Sequence, residues 1–300
     1  MNEQAAAQTS PLETIGVMGA GTMGNGIAHV FARNGFKVRL CDVQQSFLDR
    51  AHETIRENLA RETAKGKLTA SDAQLAMQRV HGTLDRDALA DCHFILEAAT
   101  ERFDVKSEIF RDLDRIALPD AVLASNTSSI SITRLASITD RPDKFIGLHF
   151  MRPVQVMKLV EIIRGIATSP ETHETAHAFA QSLGKETTNA EDYPAFIVNR
   201  VLVPMINEAI YTLYEGVGTV TSIDMAMKLG ANHPMGPLEL GDFIGLDTVL
   251  AIMNVLHDGL ADSKYRPCPL LVKYVEAGWL GQKSGRGFYD YRGDQPVPTR

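Results

Sequence analysis

Cysteine is scarce in this chain. Its three residues, Cys41, Cys92 and Cys268, are widely spaced and never arranged as C-x-x-C. A disulfide framework and a zinc ribbon are therefore excluded, and the thiols read as reduced and cytosolic. No apolar run approaches the ~18 residues needed to span a bilayer, so no membrane segment is expected. An excess of basic charge is lacking too: 30 Lys and Arg face 37 Asp and Glu, for a net charge of -7. Nucleic-acid binding that relies on a basic face to neutralise phosphates is therefore disfavoured. The opening stretch MNEQAAAQTS carries no base and no apolar segment. It reads as neither a secretory signal nor a transit peptide, and residues 1–12 are expected to form a frayed tail. Repeats and low-complexity tracts are missing.

What is there reads as a folded globular protein, with 44% apolar and 22% charged residues. Three hundred residues suggest two domains at ~150 residues each. Short apolar runs of strand length, Val38 to Cys41, Phe94 to Ala98, Val122 to Ala124 and Phe145 to Leu148, alternate with helix-like stretches such as Gln44 to Lys65 and Val105 to Ile116. Such alternation predicts βαβ units and a mostly parallel sheet whose ligands sit at the C-terminal ends of the strands. The pattern stops near residue 190. Beyond it, Phe196 to Tyr214, Ser222 to Leu229, Leu238 to His257 and Pro269 to Ala277 read as helices punctuated by Gly and Pro. The expected division is an α/β domain over 13–192 and an all-helical domain over 193–300. Ile206, Ile210, Leu213 and Tyr214 form a spaced apolar face in the latter that could join a partner subunit.

Gly19-Ala20-Gly21-Thr22-Met23-Gly24 is a G-x-G-x-x-G set between the apolar run Ile15 to Met18 and the helix-like Asn25 to Arg33. Alone the pattern is weak, but this context is the one its chemistry needs. Gly19 makes the tight turn, Gly21 lets pyrophosphate approach the backbone, Gly24 lets helix and sheet close up, and the helix N-terminus attracts the anion. Asp42 lies eighteen residues past the last glycine, at the end of the next strand. A carboxylate there accepts from ribose hydroxyls and repels a 2′-phosphate, which points to NAD rather than NADP. The fold class expected is thus α/β: a Rossmann-type, doubly wound sheet with a helical second domain.

Of the nine histidines, most read as ordinary helix or strand positions. His173-Glu174-Thr175-Ala176-His177 spells H-E-x-x-H, but it lies on a short amphipathic helix and no third ligand follows at a metalloprotease spacing; no metal site is expected. His149 differs because it ends the strand-like Lys144 to His149. Downstream, Glu161 sits inside Leu159-Val160-Glu161-Ile162-Ile163, where a carboxylate is costly to bury without a partner. If the chain reverses about Gln155, residues whose numbers total 310 oppose one another, His149 and Glu161 among them. Oxidising a secondary alcohol by hydride loss needs a base for the hydroxyl proton, and a carboxylate-supported imidazole is suited to that work. A purely structural ion pair is the alternative. Asn126-Thr127-Ser128-Ser129 follows another strand end; its hydroxyls could orient a ligand or merely cap a helix starting near Ile130.

The series GAGTMGNGIA, EAATE, ASNTSSISIT, IGLHF-x-x-PV-x-VMKLVEII, FIVNR and MKLG-x-x-x-PMGPLEL, in order over residues 14 to 290, resembles the L-3-hydroxyacyl-CoA dehydrogenase family. The single-function bacterial members match the chain in length. The resemblance implies NAD-dependent, reversible oxidation of (3S)-3-hydroxyacyl-CoA of short chain length in fatty acid metabolism, by a cytoplasmic homodimer joined through the helical domain. It makes His149 the acid/base and Glu161 its orienting partner. Ser128 and Asn199 would position substrate oxygens and the nicotinamide, in a cleft between the domains. Glu101, Lys106 and Lys283 would lie along the cofactor, and Asn58 and Lys65 would face coenzyme A, within the basic series Arg56, Arg61, Lys65 and Lys67. Two positions depart from the family pattern. Arg152 stands where an Asn that contacts cofactor is usual, and Ala195 stands where glycine is usual in a Pro-Gly-Phe turn. Arg152 opens three rival substrates: an acidic acyl chain, a carrier-bound 3-hydroxyacyl group, or a free hydroxy acid as in gulonate-type dehydrogenases. A non-catalytic, crystallin-like NAD-binding protein is a rival from another class.

Overall fold

The computed structural model describes residues 14–300; the tail expected over 1–12 lies outside them. The chain divides into two compact units, one ending at Asp192 and the other running Tyr193–Arg300.

The first unit is built from β1 (Thr14–Met18), α1 (Thr22–Arg33), β2 (Lys37–Cys41), α2 (Gln45–Ala64), α3 (Ala70–Gln78), β3 (Val80–Thr83), β4 (Phe94–Glu97), α4 (Phe103–Ile116), β5 (Val122–Ser125), α5 (Ile132–Ala136), β6 (Phe145–Phe150), β7 (Leu159–Arg164), α6 (Pro170–Ser182) and β8 (Glu186–Glu191). The strands form one sheet in the order β3-β2-β1-β4-β5-β6-β7-β8. Every neighbouring pair is parallel except β6 and β7. The order reverses between β1 and β4, so the crevice where doubly wound sheets bind ligands opens at the C-terminal ends of those strands. Strand alternation divides the core between two layers. Ile15, Val17, Phe94, Leu96, Ile146 and Leu148 pack with α1, α2, α3 and α6, where the Phe94 and Phe179 rings lie 4.4 Å apart. On the other face Phe110 of α4 meets Phe145 of β6 with ring centroids 4.6 Å apart.

The sequence misses β8. Its residues ETTNAE are polar because it is an edge strand with little to bury, and its ladder to β7 supplies the order that apolarity does not.

The second unit contains α7 (Val198–Tyr214), α8 (Val220–Gly230), α9 (Pro237–Ile244), α10 (Leu246–Leu260), α11 (Pro269–Glu276) and a two-stranded ribbon of β9 (Tyr289–Asp290) and β10 (Val297–Pro298). It is therefore helical but not all-helical. Two further expectations are corrected. Leu238 to His257 is two helices, bent by 97°, because Gly245 takes φ +102 and breaks the helix. Of the apolar face expected on α7, Ile206 and Ile210 are not available to a partner, since they are buried in the unit's own core with Val249, Met253 and Leu271, and Leu213 packs partly buried against that core, whereas Tyr214 stays exposed. Buried Asp224 accepts from the N–H groups of Leu238 and Glu239 at the start of α9. Buried Asp242 accepts from Phe288 and Tyr289 and so anchors the segment leading into the ribbon. Among the described residues no single helix is long and apolar enough to cross a membrane.

Candidate active site

Because β1, β4, β5 and β6 are parallel, their C-terminal ends lie along one edge, and the site residues of the first unit are gathered there. Each glycine of the turn after β1 has its own reason. Gly19 adopts φ +105, and a Cβ on it would lie 2.8 Å from the backbone of Ala98. A Cβ on Gly24 would fall 1.7 Å from the Gly19 carbonyl oxygen. Gly21 is different: a Cβ there meets no protein atom within 4 Å, and the backbone, at φ -66 and ψ -166, is open to any residue. Nothing in the protein demands glycine at this point, whereas a pyrophosphate against the start of α1 does. The turn therefore fits a dinucleotide. Asp42 follows β2 and is buried. One of its oxygens accepts from the Ala20 N–H at 2.7 Å and the other from Val43 at 2.7 Å, so it also ties the glycine turn to β2.

Glu97, which the sequence reading passed over, ends β4 beside Met18 of β1. It is wholly buried and fully partnered. Lys106 of α4 donates to both of its oxygens at 2.6 and 2.8 Å, Ser125 donates its hydroxyl at 2.7 Å, and Ala99 donates its N–H. The signal available in the sequence was an acid closing the apolar run Phe94-Ile95-Leu96. Lys106, expected along the cofactor, is only 1% exposed; its ammonium is committed to Glu97 and lies 3.5 Å from Glu101. Glu101 in turn accepts from the Thr127 hydroxyl at 2.6 Å, the Ser128 N–H at 2.9 Å, and the Ser129 hydroxyl at 2.8 Å and N–H at 3.0 Å. Burial pushes the Glu101 carboxyl upward, but Lys106 and the donors of Thr127, Ser129 and Ser128 outweigh it and hold the group below the usual carboxylate range. Ser128 thus stands on a loop ordered by Glu101. It is not the helix cap, since α5 starts later and is capped by Ser131.

His149 and Glu161 face each other across the antiparallel β6–β7 pair, in the register Gly147↔Ile163, Leu148↔Ile162, His149↔Glu161 and Phe150↔Val160. These are the pairs obtained by reversing the chain about Gln155. The imidazole Nδ1 lies 2.7 Å from Glu161 Oε2, with His149 7% exposed and Glu161 fully buried. A carboxylate accepts, so the hydrogen of this contact belongs to Nδ1. Asn126 steadies the same strand end by accepting from the Phe150 N–H at 2.9 Å.

Other expected residues are dispersed. Arg152 is exposed just beyond β6. Asn58 is buried on α2, with its amide oxygen taken by Arg61, so it supports that arginine rather than facing solvent. Lys65, at the end of α2, is exposed. A groove of about 580 Å³ between α2 and α3, lined by Leu59, Ala60, Ala73 and Met77 with Arg56 alongside, lies near it. Asn199 is half-buried in the first turn of α7, and Lys283 is ion-paired with Asp247 in the second unit. The two imidazoles of the H-E-x-x-H segment are turned to β8, His173 to Asn189 and His177 to Thr187.

A doubly wound sheet, a dinucleotide turn at its switch point and a histidine–carboxylate dyad on the same edge define a nicotinamide-dependent dehydrogenase. Residues 14–193 match the family model described as 3-hydroxyacyl-CoA dehydrogenase, NAD binding domain, and residues 196–291 match the C-terminal domain of the same family. The chain belongs to the 3-hydroxyacyl-CoA dehydrogenase family. It is 62% identical over 289 residues to a 3-hydroxybutyryl-CoA dehydrogenase of Bradyrhizobium diazoefficiens, covering 96% of this chain and 99% of that one. It is 53% identical over 280 residues to a probable 3-hydroxybutyryl-CoA dehydrogenase of Bacillus subtilis, covering 93% and 98%. Its structure is similar to that of (S)-3-hydroxybutyryl-CoA dehydrogenase from Ralstonia eutropha, with a TM-score of 0.92, 48% identity, and 94% and 100% of the two chains covered. These similarities favour neither the free-hydroxy-acid rival nor the non-catalytic one.

Proposed function

We propose that this protein interconverts (3S)-3-hydroxyacyl-CoA and 3-oxoacyl-CoA of short chain length with NAD, acting in the cytoplasm as part of fatty acid metabolism. The observation that carries the reading is the 2.7 Å contact between a nearly buried imidazole and a fully buried carboxylate on the strand edge that also bears the dinucleotide turn. NAD, when bound, supplies the hydride acceptor for the oxidation. Gly19 to Gly24 with Ala20, Thr22 and Met23 would cradle its pyrophosphate, Asp42 its ribose, and Glu101, Ser128 and Arg152 the remainder, with Lys106 holding Glu101 from beneath.

In the oxidising direction His149 Nε2 takes the substrate's hydroxyl proton. Glu161 keeps the other ring nitrogen protonated, aims the ring, and stabilises the imidazolium as it forms. In reduction the same nitrogen returns the proton. Ser128, on its Glu101-ordered loop, positions the substrate's 3-oxygen. Lys65 and Arg61, the latter steadied by Asn58, meet coenzyme A phosphates. Burial keeps the three thiols chemically quiet: Cys41 is pushed up to about 11 and Cys92 to about 12, and their free state suits a reducing compartment.

A homodimer through the second unit is supported by large apolar side chains left exposed there, among them Val201, Tyr214, Met225 and Leu229. The functional test is NADH oxidation with acetoacetyl-CoA, longer 3-oxoacyl-CoA esters, acyl-carrier thioesters and free oxo acids. Turnover of the short CoA esters is expected. Turnover of free acids alone would overturn the assignment.

A further inference from the structure

Lys185 is buried, 7% exposed, between α6 and β8. Its ammonium donates to two main-chain carbonyls, those of Val154 and Met157, the latter at 2.8 Å. A cation withdrawn from water with only neutral acceptors is costly. Burial first, and repulsion from Arg33 second, lower its pKa to about 8. What those bonds hold gives the position its sense.

Residues 151–158 connect β6, which carries His149, to β7, which carries Glu161. The turn is tight, with Val156 and Met157 both donating to the Pro153 carbonyl, and its two ends converge on the one ammonium. The backbone beside Lys185 is itself fixed, because Glu186 donates to the Lys158 carbonyl at 2.9 Å and the β7–β8 ladder continues from Leu159↔Glu186. On its other side Val154 is packed against α1, the helix that starts at the dinucleotide turn; a Cβ on Gly26 would lie 3.1 Å from it. The turn cannot open or slip without uncovering a buried charge. A slip of even one residue would put His149 and Glu161 on opposite faces of the sheet.

We propose that Lys185 is a positioning residue for the reaction: its ammonium fixes the β6–β7 connection and so holds His149 against Glu161. The inference rests on the dehydrogenase reading for its consequence in turnover, but its geometry can be tested without turnover.

The experiment compares the full-length protein with Lys185→Met, Lys185→Arg and Glu161→Gln. One arm follows the His149 ring resonances through a pH titration. Lys185→Met is expected to move that titration in the same direction as Glu161→Gln, and Lys185→Arg, which keeps the donors, to restore most of it. The second arm measures NADH oxidation by acetoacetyl-CoA. Lys185→Met is expected to lower kcat by roughly 10-fold or more in the native background. In the Glu161→Gln background, where the contact it protects is already weakened, it should lower kcat by less than about 3-fold. An unmoved His149 titration, or equal losses in both backgrounds, would overturn the proposal. If Lys185→Met does not fold, Lys185→Gln, which replaces the ammonium by a neutral amide, carries the same comparison. A wild-type protein without turnover would defeat the dehydrogenase reading while the titration still decided the role of Lys185.

Discussion

Three glycines in one six-residue motif should respond to a single added methyl in different ways. For Gly24→Ala, the new Cβ would lie 1.7 Å from the Gly19 carbonyl. Backbone must move to make room, so a loss of about 3 kcal/mol or more in stability is expected. Gly19→Ala places a Cβ 2.8 Å from Ala98 backbone atoms and imposes φ +105 on a residue with a side chain; the strain alone is worth about 1–2 kcal/mol. Gly21→Ala has no such cost. Its Cβ meets no protein atom and its backbone angles suit alanine, so stability should hold or rise by about 0.4–1 kcal/mol as the unfolded chain loses freedom. The methyl would instead occupy the place where pyrophosphate approaches. Overpacking of about 1–3 kcal/mol there weakens NADH binding by about 5- to 150-fold. Urea unfolding and a fluorescence titration with NADH measure both quantities on the same preparations. The reasoning is refuted if Gly21→Ala unfolds as readily as Gly24→Ala, or binds NADH as tightly as the wild type.

Burial lifts the Asp242 carboxyl to about 6, against the pull of Tyr289, Phe288 and Tyr291. The folded state therefore keeps this proton between about pH 4 and pH 6, where the unfolded chain has released it. The contribution of this group to stability then falls by on the order of 3 kcal/mol as pH rises through that window, and is level above it. The difference in unfolding free energy between wild type and Asp242→Asn should change accordingly; a difference independent of pH contradicts it. Arg152→Asn should shift the substrate profile away from thioesters with an acidic acyl chain by about 10-fold, the worth of one charged contact. An unchanged profile removes this arginine from substrate selection. Leu229→Lys together with Met225→Lys should lower the sedimentation mass toward one chain if the exposed face of the second unit joins two copies, and leave it unchanged if it does not.

Much of the first unit was legible because its signals are local. Apolar runs of strand length, a glycine turn in the right place and an acid after the second strand need no knowledge of distant residues. The His149–Glu161 pairing was also legible, since an antiparallel reversal turns a sequence separation into a cross-strand contact. What escaped depends on partners far apart in the chain. Glu97 is intelligible only once Lys106 and Ser125 converge on it, and Lys185 only once the β7–β8 ladder brings it under the turn at Val154. Ile206 and Ile210 of the α7 face misled for the same reason: they form an apolar stripe with exposed Tyr214, but which surface covers the stripe is decided by α9, α10 and α11. The break at Gly245 was hidden because a single glycine within an apolar helical pattern is usually tolerated. Ala195 shows what a departure in sequence means in geometry. It takes φ +62 with Phe196 at φ +54, two left-handed residues in succession where glycine would carry no strain in the first.

The central claim is that His149 exchanges the substrate proton while Glu161 holds its other nitrogen. The measurement that tests it most directly is the pH dependence of kcat/KM for NADH oxidation by acetoacetyl-CoA, in wild type, His149→Ala and Glu161→Gln, each first shown to fold and bind NADH. The account predicts a loss of roughly 10²- to 10⁴-fold for His149→Ala, with its limb of the profile abolished, and a loss with a displaced limb for Glu161→Gln. Variants that keep wild-type turnover and an unmoved profile would contradict it.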